Sequence, residues 1–296
     1  METVLVTGAG PNGVTGRLIR EYFKDKYILI TPSSKELDLT NDCAVSRFFR
    51  DNHVDYVIHC ATFRPHSVDR SHLVDEELES NLRMYYSLAS QSCHYKKMIY
   101  FGSGAEFDKS KPIVKVTEDD FGRTIPKTKY GLGKYIMNEH ARKSENIYNF
   151  RLFGTINKYE RPNKNVISNL CAKAILGQPL ALRQNCLFSF IDICDVLPII
   201  GRALEVDLSH HDYNLVSNRP YFLSDIAEII QKIADTNNVM FEQPGLNLEY
   251  TATNMRLMDE IAPVFTPIFE SIKNVYNYIE SIRNEINIHE LDSRWK

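Results

Sequence analysis

No apolar run in this sequence approaches the roughly 18 residues that a membrane-spanning helix needs. A basic excess is missing as well. The 35 Lys and Arg face 38 Asp and Glu, giving a net charge of -3 at pH 7. Binding to nucleic acid or a membrane surface, which calls for concentrated positive charge, is therefore not expected. The chain runs almost at once into Val4-Leu5-Val6, without a basic stretch followed by an apolar one, so no secretory signal is expected. The six cysteines (Cys43, Cys60, Cys93, Cys171, Cys186 and Cys194) form no Cys-x-x-Cys pair. That argues against a zinc or redox motif and for reduced thiols in a cytoplasmic protein. His210-His211 has no third ligand nearby in sequence, so no metal is assigned. Internal repeats, low-complexity segments and a Gly/Ser-rich linker are all lacking. What is present is core-forming material: 43% hydrophobic residues in a chain of 296, enough for one large domain or two coupled ones without staples.

In the first half, short apolar runs alternate with longer amphipathic ones. Thr3–Thr7, Tyr27–Thr31, Tyr56–Cys60, Met98–Gly102 and Tyr148–Leu152 are rich in Val, Ile, Leu and Tyr and do not alternate with polar residues. Strands buried on both faces of a parallel sheet have this character. Helices are expected between them at Val14–Phe23, Cys43–Asn52, Asp75–Cys93 and Thr128–Ser144, the second with Thr40 or Asn41 as its cap. This order predicts an α/β, Rossmann-type doubly wound sheet. Past residue 155, Asn163–Leu176, Phe222–Ala234 and Ile268–Glu285 read as helices, and Phe188–Ile193 and Tyr213–Val216 as strands.

The first strand enters Thr7-Gly8-Ala9-Gly10-Pro11-Asn12-Gly13-Val14-Thr15-Gly16, and a helix follows. In that setting a glycine-rich turn lets backbone N–H groups approach a pyrophosphate at the positive end of the helix. The candidate cofactor contacts here are Gly8, Gly10, Asn12, Gly13 and Val14. An acidic residue ending the second strand would hold the ribose of NAD and repel a 2′-phosphate. Instead the strand exits through Pro32-Ser33-Ser34-Lys35, with no carboxylate before Glu36. Ser33, Ser34 and Lys35 favour NADP(H) over NAD(H). The competing reading is an ordinary polar loop with its lysine in solvent.

Tyr-x-x-x-Lys occurs twice, at Tyr22/Lys26 and Tyr130/Lys134. The first ends a predicted helix and reads as a surface pair. The second lies on the helix between the fourth and fifth strands, with both side chains on one face. A nearby ammonium favours the phenolate and lowers the tyrosine pKa. The phenol can then exchange a proton with a hydroxyl or ketone while hydride moves to or from a nicotinamide. Ser103, at the carboxyl end of the fourth strand, is placed to orient the reacting oxygen. Tyr130, Lys134 and Ser103 are thus the candidate catalytic residues.

Taken together, these residues resemble the extended short-chain dehydrogenase/reductase family, the NAD-dependent epimerase/dehydratase group acting on nucleotide sugars. The resemblance spans nearly the whole chain. It rests on the glycine turn, Asp38-Leu39, His59-Cys60-Ala61-Thr62, Asn81, Ser103, Tyr130/Lys134, Arg151-Leu152-Phe153-Gly154, Phe190–Val196 and Tyr213-Asn214-Leu215. It implies cofactor contacts at Asp38, Leu39, Cys60, Ala61, Thr62, Phe101, Leu152 and Phe153. It also implies a Rossmann domain over residues 1–160, completed by about 187–217, and a substrate domain over 161–186 and 218–296. A homodimer through the helices at about 75–93 and 128–144 is implied too.

The chain departs from the family where other chemistry would lie. Gly104 and Ala105 stand where the 4,6-dehydratases carry an Asp–Glu pair. Ala105 and Asn165 stand where the epimerising reductases similar in layout, the GDP-fucose synthases, carry a cysteine and a histidine. Neither alanine nor asparagine transfers a proton at neutral pH. Ser103, Gly104, Ala105 and Asn165 are expected to face substrate, with Arg64, Arg183 and Arg256 as candidates for its diphosphate. The function implied is an NADP(H)-dependent reductase or dehydrogenase at C4 of a nucleotide-linked 4-keto sugar, without 3,5-epimerisation. The alternatives are a 4-epimerase with tightly held NAD and, in another class, a non-catalytic NADP-binding regulatory protein.

Overall fold

The computed structural model describes residues 1–10, 13–63, 76–163 and 165–291. Asn12, Arg64 and the start of the helix expected from Asp75 lie outside them. The elements in order are β1 (Thr3–Thr7), α1 (Val14–Phe23), β2 (Ile28–Ile30), α2 (Asp42–Asp51), β3 (Tyr56–His59), α3 (Glu77–Ala89), β4 (Lys97–Ser103), β5 (Ile113–Val116) and α4 (Lys129–Ala141). They continue with β6 (Ile147–Leu152), β7 (Gly154–Ile156), α5 (Val166–Ile175), β8 (Leu180–Leu182), β9 (Leu187–Phe188), β10 (Phe190–Asp192), α6 (Ile193–Glu205) and β11 (Asp212–Leu215). The last are β12 (Tyr221–Phe222), α7 (Leu223–Ala234), β13 (Val239–Phe241), β14 (Tyr250–Ala252), α8 (Met255–Glu260) and α9 (Ile268–Ser281).

Six strands form a parallel sheet in the order β11-β6-β4-β3-β1-β2. Alternate residues of each strand face opposite layers. Val4, Val6, Ile58, Ile99 and Phe150 pack under α1 and α6 through Leu18, Ile19, Phe23, Val196 and Ile200. Leu5, Val57, Met98 and Tyr100 pack under α2, α3 and α4 through Val45, Phe49, Tyr85, Leu88 and Met137. Both faces are covered, so the strands are largely apolar on both sides, with buried polar residues such as Asn149, Arg151, Asp212 and Asn214 confined to β6 and β11 and to strand ends. This is the expected doubly wound α/β fold. The chain turns opposite ways from β1, to β2 on one side and β3 on the other, which opens a crevice at the carboxyl ends of these strands.

The later elements form a further core, in which α5, α7 and α9 bury Ile167, Leu170, Ile226, Ile230, Ile272, Val275 and Ile279. A small sheet in the order β12-β9-β14-β5 lies beside it. Several expectations need correction here. The run Phe188–Ile193 is not one strand: it breaks at Ser189, and Ile193 opens α6. The Asp192 side chain caps that helix by accepting from the Cys194 N–H at 2.8 Å. Helices α5 and α7 start later than the sequence suggests, at Val166 and Leu223, and α9 ends at Ser281.

Candidate active site

The glycine turn forms one wall of a cleft of about 760 Å³ at the carboxyl ends of the parallel strands. Gly8 adopts φ of +71°, where a side chain would be strained. A Cβ on Gly13 would lie 1.8 Å from the Gly8 carbonyl oxygen, so the turn closes on itself only with glycine there. A Cβ on Gly10 would meet nothing within 4 Å among the described residues, and Gly10 lines the cleft. The N-cap of α1 is Gly13, which has no side chain to cap with, and Gly13 and Val14 line the cleft. A cradle of close backbone at a positive helix end fits a pyrophosphate.

At the far end, Ser33, Ser34, Asp38 and Leu39 line the same cleft. Lys35 is exposed and stands outside the lining, a departure from its expected contact. The Glu36 carboxylate accepts from the Ser33 N–H at 2.7 Å, and the Ser33 backbone and side chain hold its pKa below the usual value. Cys60, Ala61 and Thr62 line the middle. Their loop is tied down by Asn81, whose amide accepts from the Phe63 N–H at 2.8 Å and donates to the Phe63 carbonyl at 2.9 Å. Burial, aided by the Lys134 charge, pushes His59 down to about 3, so it stays neutral while bonded to Thr7 Oγ1 at 2.8 Å. Burial pushes the Cys60 thiol well up, against the opposing pull of Lys134. A thiolate nucleophile at Cys60 is not supported.

Ser103, Tyr130 and Lys134 meet at the cleft's inner end, beside Phe101, Leu152 and Phe153. Thr128 caps α4 by accepting from the Gly131 N–H at 3.1 Å, which fixes the first turn carrying Tyr130. One turn on, the buried Lys134 ammonium donates to the Phe101 carbonyl at 2.7 Å. Ser103 ends β4 and caps the turn that follows, its Oγ accepting from the Ala105 N–H at 3.2 Å. The Glu106 carboxylate accepts from the Ser103 N–H at 2.9 Å and from Arg151 Nε at 2.8 Å. Arg151 also donates to Asp212 at 3.0 Å. The serine thus stands on a buried ionic network.

A second cavity, of about 930 Å³, opens from this point, and Ser103, Tyr130, Phe153 and Thr155 line both. Ala105, Asn165 and Arg183 line it. Gly104 does not: it is buried, and a Cβ there would lie 2.5 Å from the Phe153 ring and from the Tyr250 hydroxyl. Asn165 is occupied as the cap of α5, accepting from the Ile167 N–H at 2.9 Å and donating to the Thr155 carbonyl and Glu160 at 3.0 and 2.8 Å. Arg256 is not at the cavity; it pairs with Asp119 and with Asp212, the latter at 2.8 Å. Lys26 lies beyond the end of α1 and pairs with Glu205 at 2.5 Å, so the Tyr22/Lys26 spacing is a surface coincidence. Lys109, Lys111, Glu249 and Tyr250 on the second cavity, and Glu160 on the cleft, were not singled out by the sequence. Among the described residues there is no cluster of three or more His, Cys, Asp or Glu able to hold a metal.

A dinucleotide cradle ending on a serine, a tyrosine and a buried lysine defines an NAD(P)-dependent oxidoreductase. The chain belongs to the NAD-dependent epimerase/dehydratase family, whose pattern matches residues 4–215. It is similar to the GDP-L-colitose synthase of Yersinia pseudotuberculosis, at 26% identity over 58% of this chain and 60% of that one. The match therefore spans about 60% of that relative's length. Its fold is similar to that of a GDP-L-fucose synthetase from Naegleria fowleri bound to NADP, with a TM-score of 0.78 and 17% identity over 96% of this chain and 95% of that one. It is also similar to a GDP-mannoheptose C4 reductase from Campylobacter jejuni with NADP bound, with a TM-score of 0.77 and 14% identity over 94% and 98% of the two chains. A UDP-glucose 4-epimerase from Thermus thermophilus in complex with NAD gives a TM-score of 0.75 and 18% identity over 93% and 98%.

Proposed function

We propose that this enzyme is an NADP(H)-dependent reductase, or in reverse a dehydrogenase, acting at C4 of a nucleotide-linked 4-keto sugar without 3,5-epimerisation. The observation that carries this reading is the position of Ser103 and Tyr130 on the boundary between two cavities. One cavity has the glycine cradle of a dinucleotide. The other is large enough for a second nucleotide-linked ligand, and Lys109, Lys111 and Arg183 offer cations to a diphosphate. The six-stranded sheet and its helices would hold the cofactor, and the elements around α5, α7 and α9 the substrate. When bound, the nicotinamide supplies or accepts the hydride. Ser103 orients the sugar oxygen, Tyr130 gives it a proton or takes one, and the Lys134 cation favours the phenolate.

The lack of epimerisation follows from Ala105 and Asn165. One has no titratable group, and the other spends its amide on a helix cap. The relatives' printed activities, colitose and fucose synthesis and heptose C4 reduction, agree with nucleotide-sugar chemistry. Ser33 and Ser34 support NADP(H), as do two similar folds holding NADP. The test is NADPH oxidation with a 4-keto-6-deoxy nucleotide sugar, alongside fluorescence titrations of NADPH and NADH. Tighter NADPH binding and turnover that requires added NADPH are expected. Tighter NADH binding would contradict the cofactor reading. Conversion of a 4-hydroxy nucleotide sugar to its C4 epimer, with no cofactor added, would establish an epimerase instead.

We also infer a homodimer. Leu78, Leu82 and the exposed Tyr86 on α3 form a shallow apolar hollow bordered by Lys129 at the start of α4. Such a face is covered by a second copy in a helix-to-helix dimer. Light scattering at micromolar concentration should give the mass of two chains. A single-chain mass would refute the dimer.

A further inference from the structure

Glu106 is almost fully buried beneath Ser103 and lines neither cavity. One carboxylate oxygen, Oε1, accepts from the Ser103 N–H at 2.9 Å. The other accepts from Arg151 Nε at 2.8 Å, and the Asn149 amide donates to the two at 3.3 and 3.2 Å. Room for this carboxylate is made on β4: a Cβ on Gly102 would lie 2.4 Å from Glu106 Oε1 and 2.0 Å from Asn149 Oδ1. Gly102, Asn149 and Arg151 thus all serve to seat one side chain. A buried ion pair is weak evidence for stability, because desolvation of both charges offsets most of their attraction. Its place under Ser103 asks for another account. The network also reaches α4. Arg151 donates to Asp212 at 3.0 Å, and Asp212 accepts from Asn138 Nδ2 at 3.3 Å. Asn138 lies one turn after Lys134, and Lys134 donates to the carbonyl of Phe101, two residues before Ser103. The end of β4 and the helix bearing Tyr130 are therefore tied at two levels.

We propose that Glu106 is a positioning residue for Ser103. Its carboxylate fixes the serine backbone through a charge-assisted bond. The Ala105 N–H fixes the hydroxyl by donating to Oγ at 3.2 Å. Held at both ends, the hydroxyl stands at one place on the boundary of the two cavities, where the substrate oxygen would meet it. Arg151 and Asp212 carry that fixed point across to α4, so that serine and tyrosine address the same atom. This role rests on the hydride-transfer reading of Ser103, Tyr130 and Lys134 given above.

The test removes both partners of the ion pair at once, as Glu106→Leu with Arg151→Met in the full-length chain. No charge is then stranded between them, and Asp212 keeps Arg256, so the protein should fold. With NADPH and a 4-keto-6-deoxy nucleotide sugar, kcat is expected to fall about tenfold while both KM values stay within about threefold. On a Ser103→Ala background the same change should cost less than about twofold, because its effect passes through the serine hydroxyl. A folded variant with kcat within about twofold of the parent, or an equal loss on both backgrounds, would overturn the proposal. Gly102→Ala, whose methyl group pushes the carboxylate off the Ser103 N–H, is the second variant, and the same pattern is expected of it. A parent that binds NADPH but reduces no keto sugar would sink the reductase reading. Crystal structures of the parent and of either variant then decide the role of Glu106 alone. Ser103 Oγ moved away from the Ala105 N–H supports it, and Oγ left in place overturns it.

Discussion

Tyr130→Phe is expected to lower kcat by about 100-fold or more while leaving NADPH affinity within about threefold of the parent. In the proposed mechanism the phenol carries the proton, and phenylalanine keeps the ring. Ser103 lies on the same boundary, but an aliphatic hydroxyl is a far weaker acid than a phenol and cannot replace it. Lys134 is buried and bonded to the Phe101 carbonyl, so it acts through its charge. The expected result is a folded protein that binds cofactor and scarcely turns over. Comparable turnover in Tyr130→Phe would remove the basis of the proposed chemistry. A regulatory NADP-binding protein would keep its output in this variant.

The second large effect concerns stability. Arg151 has no solvent exposure and lies between Glu106 and Asp212, at 2.8 and 3.0 Å. Arg151→Met would leave the buried Glu106 carboxylate without its cation and Asp212 with Arg256 alone, a loss of about 3–5 kcal/mol. For a chain of this size that is a fall in Tm on the order of 10 °C. Burial pushes the Glu106 carboxyl up, and Arg151 is the main opposing influence. Without the arginine, Glu106 should take up a proton more readily. The loss should therefore be largest at high pH and shrink as pH falls toward the ordinary carboxylate range. Thermal unfolding followed by circular dichroism from high pH down to that range is the check. A Tm unchanged by Arg151→Met would show that the network contributes nothing. For comparison, Arg17→Ala breaks an exposed pair with Glu21 and should cost less than about 1 kcal/mol.

The parts of the molecule that follow local rules were legible in the sequence. β1, α1, β2, β3, β4 and β6 appear nearly where apolar runs and amphipathic periods put them, whereas β5 (Ile113–Val116) was not expected. The glycine turn between β1 and α1 and the placing of Tyr130 and Lys134 one turn apart on α4 were legible because both follow from local spacing. The helix α6 was not. Asp192 sits in an apolar run that reads as strand, and Pro198 lies inside the helix. Only the cap bond from Cys194 to Asp192 marks where strand gives way to helix. Asn165 shows another limit: its place on the cavity was expected, but its commitment to Ile167, Thr155 and Glu160 depends on how α5 begins. Tyr250 and Lys109 reach the site by tertiary packing across β14, β9 and β5. No local pattern records that approach, apart from the absence of a side chain at Gly104.

The central claim is hydride and proton transfer at one carbon, with Ala105 and Asn165 unable to exchange protons at its neighbours. It is tested most directly by running the reaction in deuterated water with NADPH and a 4-keto-6-deoxy nucleotide sugar, then locating deuterium in the product. The account predicts consumption of NADPH, a new C–H bond at C4 from the cofactor, and no deuterium on carbon at C3 or C5. Deuterium at C3 or C5, or a product inverted there, would contradict it.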